Sequence, residues 1–177
     1  TRVRSSAASD VYKRQAEACA ALDRFRALVE QLPPGRLEEL YTETFDLNPT
    51  DAPYVGFHLF GESYPRSLFL LGLKERYRAH GFDGGSELPD HLAVLLGFLA
   101  VSDDPELTGE LLVDALLPAL DKLVGSDEDS EDSPAEPSER GVHRRLYRLV
   151  LRALRLWLLS RTQGAPALAG QGGDRRV

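Results

Sequence analysis

The side chains best suited to chemistry lie in the stretch Glu87-Leu88-Pro89-Asp90-His91-Leu92, with a further imidazole at His58. Carboxylates and imidazoles can bind a metal ion or act as an acid–base pair. The spacing argues against both, because no helical segment carries a His-x-x-x-His or Glu-x-x-His pair that would present two ligands on one face. The chain also lacks a glycine-rich phosphate loop, and Cys19 is its single cysteine. We therefore expect a protein that is not an enzyme, with no catalytic residue, no metal site and no stably bound cofactor.

The element that must position these groups is a helix expected to begin at Pro89. Proline has no backbone N–H and a fixed φ, so it suits the first turn of a helix, and the residues behind it are apolar at helical spacing. Glu87 and Asp90 would then flank the positive end of the helix dipole, with His91 beside them. For His91 and His58 a pH-dependent contact is one interpretation. A structural hydrogen bond is the interpretation that we favour.

The rest of the chain is also apolar at helical spacing, and no segment alternates as a strand does. The pattern predicts an all-α, single-domain bundle of about six to seven helices, with a helical core over residues 16–124 and a last helix over 141–163. Residues 1–15 show no periodicity and are expected to be a non-native or disordered leader. Residues 125–140, acidic and rich in serine and proline, are expected to be a disordered linker, and 164–177 a flexible tail.

The apolar spacing also predicts which side chains of the first and last helices face inward. In the first helix they are Cys19, Leu22, Phe25, Val29 and Leu32. In the last helix they are Leu146, Val150, Ala153, Leu154, Trp157 and Leu158, and the opposite face carries Arg145, Arg148, Arg152 and Arg155.

Charge and composition narrow the class of protein further. The formal net charge is −7, and seven of the 28 acidic residues lie between Gly125 and Glu139, which leaves 21 acids against 21 bases elsewhere. The folded part is therefore close to neutral, which argues against a nucleic-acid-binding surface. A single cysteine fits a reducing compartment. The chain has neither an apolar run of about 20 residues nor a secretory signal, so we expect a cytoplasmic protein that does not insert into the membrane.

Several short motifs, taken in order, resemble the NarJ branch of the TorD/DmsD/NarJ chaperones, the nitrate reductase molybdenum-cofactor assembly chaperones or delta subunits. The resemblance covers about residues 37–99. It is carried by Leu40-Tyr41-Thr42-Glu43-Thr44-Phe45-Asp46, His58-Leu59-Phe60-Gly61-Glu62-Ser63, Arg66, Tyr77 followed by Gly81, and Glu87-Leu88-Pro89-Asp90-His91-Leu92.

The resemblance implies an all-helical chaperone that binds the N-terminal segment of the apo catalytic (alpha) subunit of respiratory nitrate reductase. Such a chaperone keeps that subunit open for insertion of the molybdopterin-guanine-dinucleotide cofactor and an iron–sulfur cluster, and delays its docking to the membrane. The family's client-binding region maps onto Pro89, Asp90 and His91, and its aromatic motif maps onto Tyr41 and Phe45. From the resemblance we also expect most of the family's first helices to be missing here, which would leave apolar surface that invites a homodimer.

The residue types agree with peptide binding. A groove lined by aromatic rings would hold the apolar face of a client helix, and Glu87 and Asp90 at its rim could pair with basic client residues. Core packing is the alternative for each aromatic side chain, and we prefer it for Phe57 and Phe69. The groove would be lined by Tyr41, Phe45, Tyr54, Phe57 and Phe60. The candidate peptide-binding residues are Tyr41, Phe45, His58, Phe60, Glu87, Pro89, Asp90 and His91.

A second hypothesis places function on the basic face of the last helix. Its four arginines could meet an anionic lipid or an acidic protein, which would make the chain a helical interaction or regulatory module. The simpler interpretation is a solvated basic face next to the acidic linker. We prefer that interpretation.

Overall fold

The computed structural model describes residues 2–48, 50–125 and 139–162, and within them it confirms an all-α protein. No strand is present in these ranges, and one isolated antiparallel bridge joins Tyr54 to His91. Seven helices follow one another along the described residues. They are α1 (Arg2–Val29), α2 (Arg36–Tyr41, continued by a π-helical turn over Thr42–Asp46), α3 (Val55–Phe60), α4 (Tyr64–Ala79), α5 (Leu92–Val101), α6 (Pro105–Glu110, then a π-helical stretch over Leu111–Leu116, then Leu117–Val124) and α7 (Glu139–Thr162).

Local sequence signals explain where the central helices begin and end. α4 starts after an extended Ser63 and has Pro65 in its first turn. The first N–H groups of a helix have no partner within the helix, so a proline there removes no hydrogen bond. The chain leaves α4 through Gly81, two residues after the last helical residue. Its φ of 63° would be strained for a residue with a side chain. α6 starts at Asp104, whose carboxylate accepts the backbone N–H of Glu106 and of Leu107, both at 3.0 Å. Such a cap contributes about 1 kcal/mol.

The core lies where α3, α4, α5 and α6 meet one face of α7. Leu151 and Leu158 of α7 complete the same cluster of buried side chains. Each fully buried aliphatic or aromatic side chain contributes roughly 1.5–3 kcal/mol, so this cluster supplies most of the stability. Asp90 is buried as deeply as the apolar side chains at the centre of the cluster. Those central side chains are Val55, Leu73, Leu95, Phe98, Leu116, Leu120 and Leu123.

The first helix differs from the expectation in both length and register. α1 begins at Arg2, so residues 2–15 of the segment expected to be a non-native or disordered leader are helical. Ala18 and Ala21 face α7, whereas Cys19 and Leu22 are exposed. Small side chains allow two helices to lie close together, and this contact outweighs the burial of the larger Leu22.

The last helix is buried on two sides. Ala153 and Leu156 pack on α1, while Leu151 and Leu158 join the main core. Trp157 is 49% exposed, so the prediction that it faces inward is wrong. The reason is that a helix held between two neighbours buries two stripes, and Trp157 lies between them. Arg161 lies over its ring at 5.6 Å.

Two expectations fall outside the described residues. The disordered linker was expected over 125–140, of which the structure describes Gly125 at the end of α6 and the first two residues of α7. The flexible tail, 164–177, lies wholly outside the described residues.

Candidate functional site

The Pro89-Asp90-His91 segment enters α5 through a turn, closed by a hydrogen bond from the His91 N–H to the Leu88 carbonyl at 3.0 Å, and not as the first turn of a helix. The backbone N–H of Val55 donates to the Asp90 carbonyl at 2.8 Å, and the N–H of Leu92 donates to the Pro53 carbonyl at 2.7 Å. These two bonds tie the segment to the start of α3. The prediction of a helix from Pro89 is therefore wrong by three residues, because backbone pairing with residues 53–55 takes precedence over helical bonding.

His91 provides the true start of α5. Its Nδ1 accepts the backbone N–H of Ala93 at 3.2 Å, and its backbone is extended, as expected for a residue that caps a helix. Pro89, two residues earlier, is buried and its carbonyl accepts a hydrogen bond from the Tyr77 hydroxyl at 2.7 Å. Burial and the Asp90 charge raise the pKa of Tyr77, so its hydroxyl stays protonated as a donor.

The Asp90 side chain has no exposed surface. Its Oδ2 accepts a hydrogen bond from Arg66 Nε of α4 at 3.1 Å, and the Arg66 side chain is only 16% exposed. Asp90 is therefore buried, and the expectation that it stands at the rim of a groove is wrong. Burying an unpaired carboxylate costs several kcal/mol of free energy, roughly, and the guanidinium of Arg66 offsets this cost.

Gly56 of α3 leaves room for this ion pair. A Cβ at position 56 would lie 2.8 Å from Asp90 Oδ2 and 2.9 Å from Phe69 Cδ1, closer than real Cβ contacts allow. The residue is buried in the first turn of α3. Close approach of the carboxylate to the α3 backbone thus requires glycine here.

Arg66 also organises the aromatic side chains above it. Its guanidinium lies 5.7 Å from the centre of the Tyr54 ring and 5.8 Å from that of Phe57. The Tyr54 ring in turn meets His91 edge-on, with 5.4 Å between the ring centres. A cation over an aromatic face is attracted by the ring quadrupole, so Arg66 holds Tyr54 from below.

Tyr41 and Phe45 of α2 have different environments. Phe45 is buried against Tyr147 of α7, with 5.1 Å between ring centres, and this fits core packing. The Tyr41 ring packs against that of Phe45 in a tilted arrangement, with 5.0 Å between ring centres, but stays 40% exposed. Burial raises the pKa of Tyr41, and the negative charges of Asp46 and Glu87 raise it further.

Tyr54 experiences the same charges as Tyr41. Burial raises its pKa, followed by the charges of Glu87, Asp90 and Asp46. Asp46 and Glu87 are both exposed, and their negative charges act on both tyrosines. We call the set Tyr41, Asp46, Tyr54, Glu87 and His91 the aromatic–acidic surface.

Two further predicted site residues, His58 and Phe60, lie in different environments. The imidazole of His58 is buried, with Nε2 at 2.8 Å from the Ala52 carbonyl. Burial lowers the pKa of His58, so the ring is neutral and donates to that carbonyl, as the structural interpretation expected. Phe60 is 42% exposed and packs on Phe69 of α4, at 5.7 Å between ring centres.

Sequence reasoning missed three contributors to the site. Asp46 and Arg66 enter only through the motifs of the resemblance, and Gly56 is not singled out at all. Arg66 had a usable signal, because it is the one basic residue in the first half of the otherwise apolar α4. A lone cation on a buried face predicts a buried anion nearby.

The basic face of α7 is partly committed to the fold. Arg155 donates to the Asp121 carboxylate of α6, which holds the two helices together. Arg152 is exposed, and the side chain of Arg145 lies outside the description. Within residues 2–48, 50–125 and 139–162, no group of three or more His, Cys, Asp or Glu side chains could hold a metal ion. None of the described helices combines the length and apolar character needed to cross a bilayer.

The described residues thus define an all-α protein in which partly exposed aromatic rings lie beside a buried ion pair. The family model described as nitrate reductase delta subunit matches residues 11–125, and the chain belongs to this family. Membership implies a maturation chaperone for nitrate reductase and not a catalytic subunit. Searches of curated proteins and of solved structures found no match.

Proposed function

We propose that this protein is a chaperone that binds the N-terminal segment of the apo catalytic subunit of nitrate reductase. It holds that subunit competent for insertion of the molybdopterin-guanine-dinucleotide cofactor and an iron–sulfur cluster, in the cytoplasm and before membrane docking. Family membership supports the client. The observation that supports the binding site is the contact of the partly exposed Tyr54 ring with His91, at 5.4 Å between ring centres. The exposed carboxylates of Asp46 and Glu87 act on Tyr54 and on the exposed Tyr41.

The surface suits an amphipathic helical segment that carries basic residues. The faces of Tyr41 and Tyr54 would cover apolar client side chains, and each hydroxyl keeps its own contact with water. Asp46 and Glu87 are exposed, so they are available for pairing with a Lys or Arg of the client. Exposed pairs of this kind contribute about 0–1 kcal/mol each, so the rings supply most of the affinity and the acids supply selectivity.

The base beneath the surface is rigid. The bridge between Tyr54 and His91, with its flanking backbone hydrogen bonds, fixes the start of α3 against the start of α5. A surface that is ordered before binding loses less conformational entropy when a client segment docks. This order supports recognition of one kind of segment.

The test is a calorimetric titration of the protein with a peptide that copies the N-terminus of the cognate catalytic subunit, at two salt concentrations. We expect saturable binding that a scrambled peptide does not reproduce. Glu87→Gln should weaken binding at low salt and reduce its salt dependence, because it removes one exposed charge of the site. Glu110→Gln, an exposed acid on α6, is the matched control and should leave binding unchanged. Equal binding of the native and scrambled peptides by folded protein would exclude the proposal.

A further inference from the structure

The buried ion pair lies directly beneath the aromatic–acidic surface. Asp90 Oδ2 accepts from Arg66 Nε at 3.1 Å, and the Arg66 guanidinium faces the ring of Tyr54 at 5.7 Å. Asp90 Oδ2 is thus linked to Tyr54 through Arg66, whereas Oδ1 is buried and has no hydrogen-bond partner among the described residues. The solvent exposure of Asp90 is 0%, so a partner could reach it only by displacing the residues above.

Contacts other than the ion pair hold the backbone around Asp90 in place. The Asp90 carbonyl accepts from Val55 N–H at 2.8 Å, and the Pro89 carbonyl accepts from the Tyr77 hydroxyl at 2.7 Å. Neither bond involves the Asp90 side chain. Loss of the carboxylate would therefore release Arg66 and Tyr54 before it released the segment itself.

We infer that Asp90 and Arg66 are positioning residues of the client site: the carboxylate fixes the guanidinium, the guanidinium fixes the Tyr54 ring, and Asp90 acts without touching the client. The inference rests on the proposed function, because it assigns what keeps that surface in its binding shape. It also separates two carboxylates of one motif. Glu87 contacts the client, whereas Asp90 supports the surface from below.

A double-mutant cycle across the interface distinguishes contact from support. The cycle combines Asp90→Asn with a client peptide in which each basic residue in turn is replaced by Gln. Asp90→Asn should lower the affinity for the native peptide about tenfold, which is the loss expected for one charged hydrogen bond. Asp90→Asn should lower the affinity for every altered peptide by the same factor, because Asp90 pairs with none of the basic residues of the client. If Asp90→Asn no longer lowered the affinity once one particular basic residue of the peptide was replaced, Asp90 would contact that residue directly. This result would overturn the inference.

The double variant Asp90→Asn/Arg66→Gln separates positioning from stability. Removing one partner of a buried pair leaves the other unpaired, whereas replacing both with neutral groups relieves that cost. The double variant should therefore unfold at a higher urea concentration than Asp90→Asn. Its peptide affinity should stay about tenfold below that of the wild type, because the cation over Tyr54 is gone. Full recovery of affinity together with stability would show that the pair acts only through folding.

A readout without peptide keeps the inference testable on its own. In NMR spectra of the full chain with labelled tyrosines, the Tyr54 ring signals should shift in Asp90→Asn, and those of Tyr12, which is 74% exposed, should not. Unchanged Tyr54 signals would overturn the inference whether or not peptide binds. If the wild type binds no peptide while Tyr54 shifts, the proposed function fails and the link from Asp90 to Tyr54 stands.

Discussion

Two carboxylates three residues apart in one loop have opposite environments. Glu87 is exposed, and its charge acts on Tyr41 and Tyr54. Asp90 is fully enclosed and bonded to Arg66. The comparison shows that a short motif can combine a group that meets a partner with a group that shapes the protein. Burial, and not residue type, decides which is which.

The largest expected effect comes from removing the buried carboxylate. Asp90→Ala leaves Arg66 without its anion in a site that is mostly closed to water, and we expect the free energy of unfolding to fall by about 3 kcal/mol. Glu87→Ala is the matched control and should stay within about 0.5 kcal/mol of the wild type. Urea unfolding followed by circular dichroism measures both variants. Similar losses of stability in Asp90→Ala and Glu87→Ala would contradict the different roles assigned to the two carboxylates.

A smaller effect is expected from filling the space that the ion pair occupies. Gly56→Ala places a methyl group against Asp90 Oδ2 and Phe69 and should cost about 2 kcal/mol. Gly109→Ala is the control, because nothing lies within 4 Å of its added methyl group. In a helix that change should raise stability by up to about 1 kcal/mol. The two substitutions should thus move the urea midpoint in opposite directions, and movement in the same direction would argue against crowding at the ion pair.

The fold was largely predictable from the sequence because its signals are local. Proline, glycine and capping residues mark the ends of α4 and α6, and the apolar period of 3.6 marks what lies between them. The register of α1 was not predictable in this way. Leu22 fits an apolar stripe as well as Ala21 does, and only the closeness of α7 selects the smaller side chain.

The site was less predictable because its key interactions join distant parts of the chain. Arg66 and Asp90 are 24 residues apart, and no spacing rule connects a residue inside a helix with one in a loop. The bridge between Tyr54 and His91 likewise depends on tertiary structure. The sequence motifs group acidic, aromatic and histidine residues in short segments. Only the packing of α3, α4 and α5 decides which of these side chains are buried.

His91 has two functions that two substitutions can separate. His91→Ala removes the acceptor for the Ala93 N–H and should lower stability by about 1 kcal/mol. His91→Asn keeps a capping side chain and should stay close to the wild type in stability. Both lose the ring that meets Tyr54, so both should bind the client peptide more weakly. Normal binding by His91→Asn would place His91 outside the client site and reduce it to a cap.

The smallest effect concerns His58, the buried counterpart of His91. Its pKa is lowered, chiefly by burial, while in the unfolded chain the ring titrates at its ordinary value. As the pH falls through that ordinary value, the unfolded state takes up a proton that the folded state refuses, so stability falls. Urea unfolding at pH 7.5 and 5.5 should show this loss in the wild type. His58→Gln keeps a donor near the Ala52 carbonyl but does not titrate, so its loss over the same interval should be smaller. An equal loss in both proteins would assign the pH dependence to other groups and leave His58 as a simple hydrogen-bond donor.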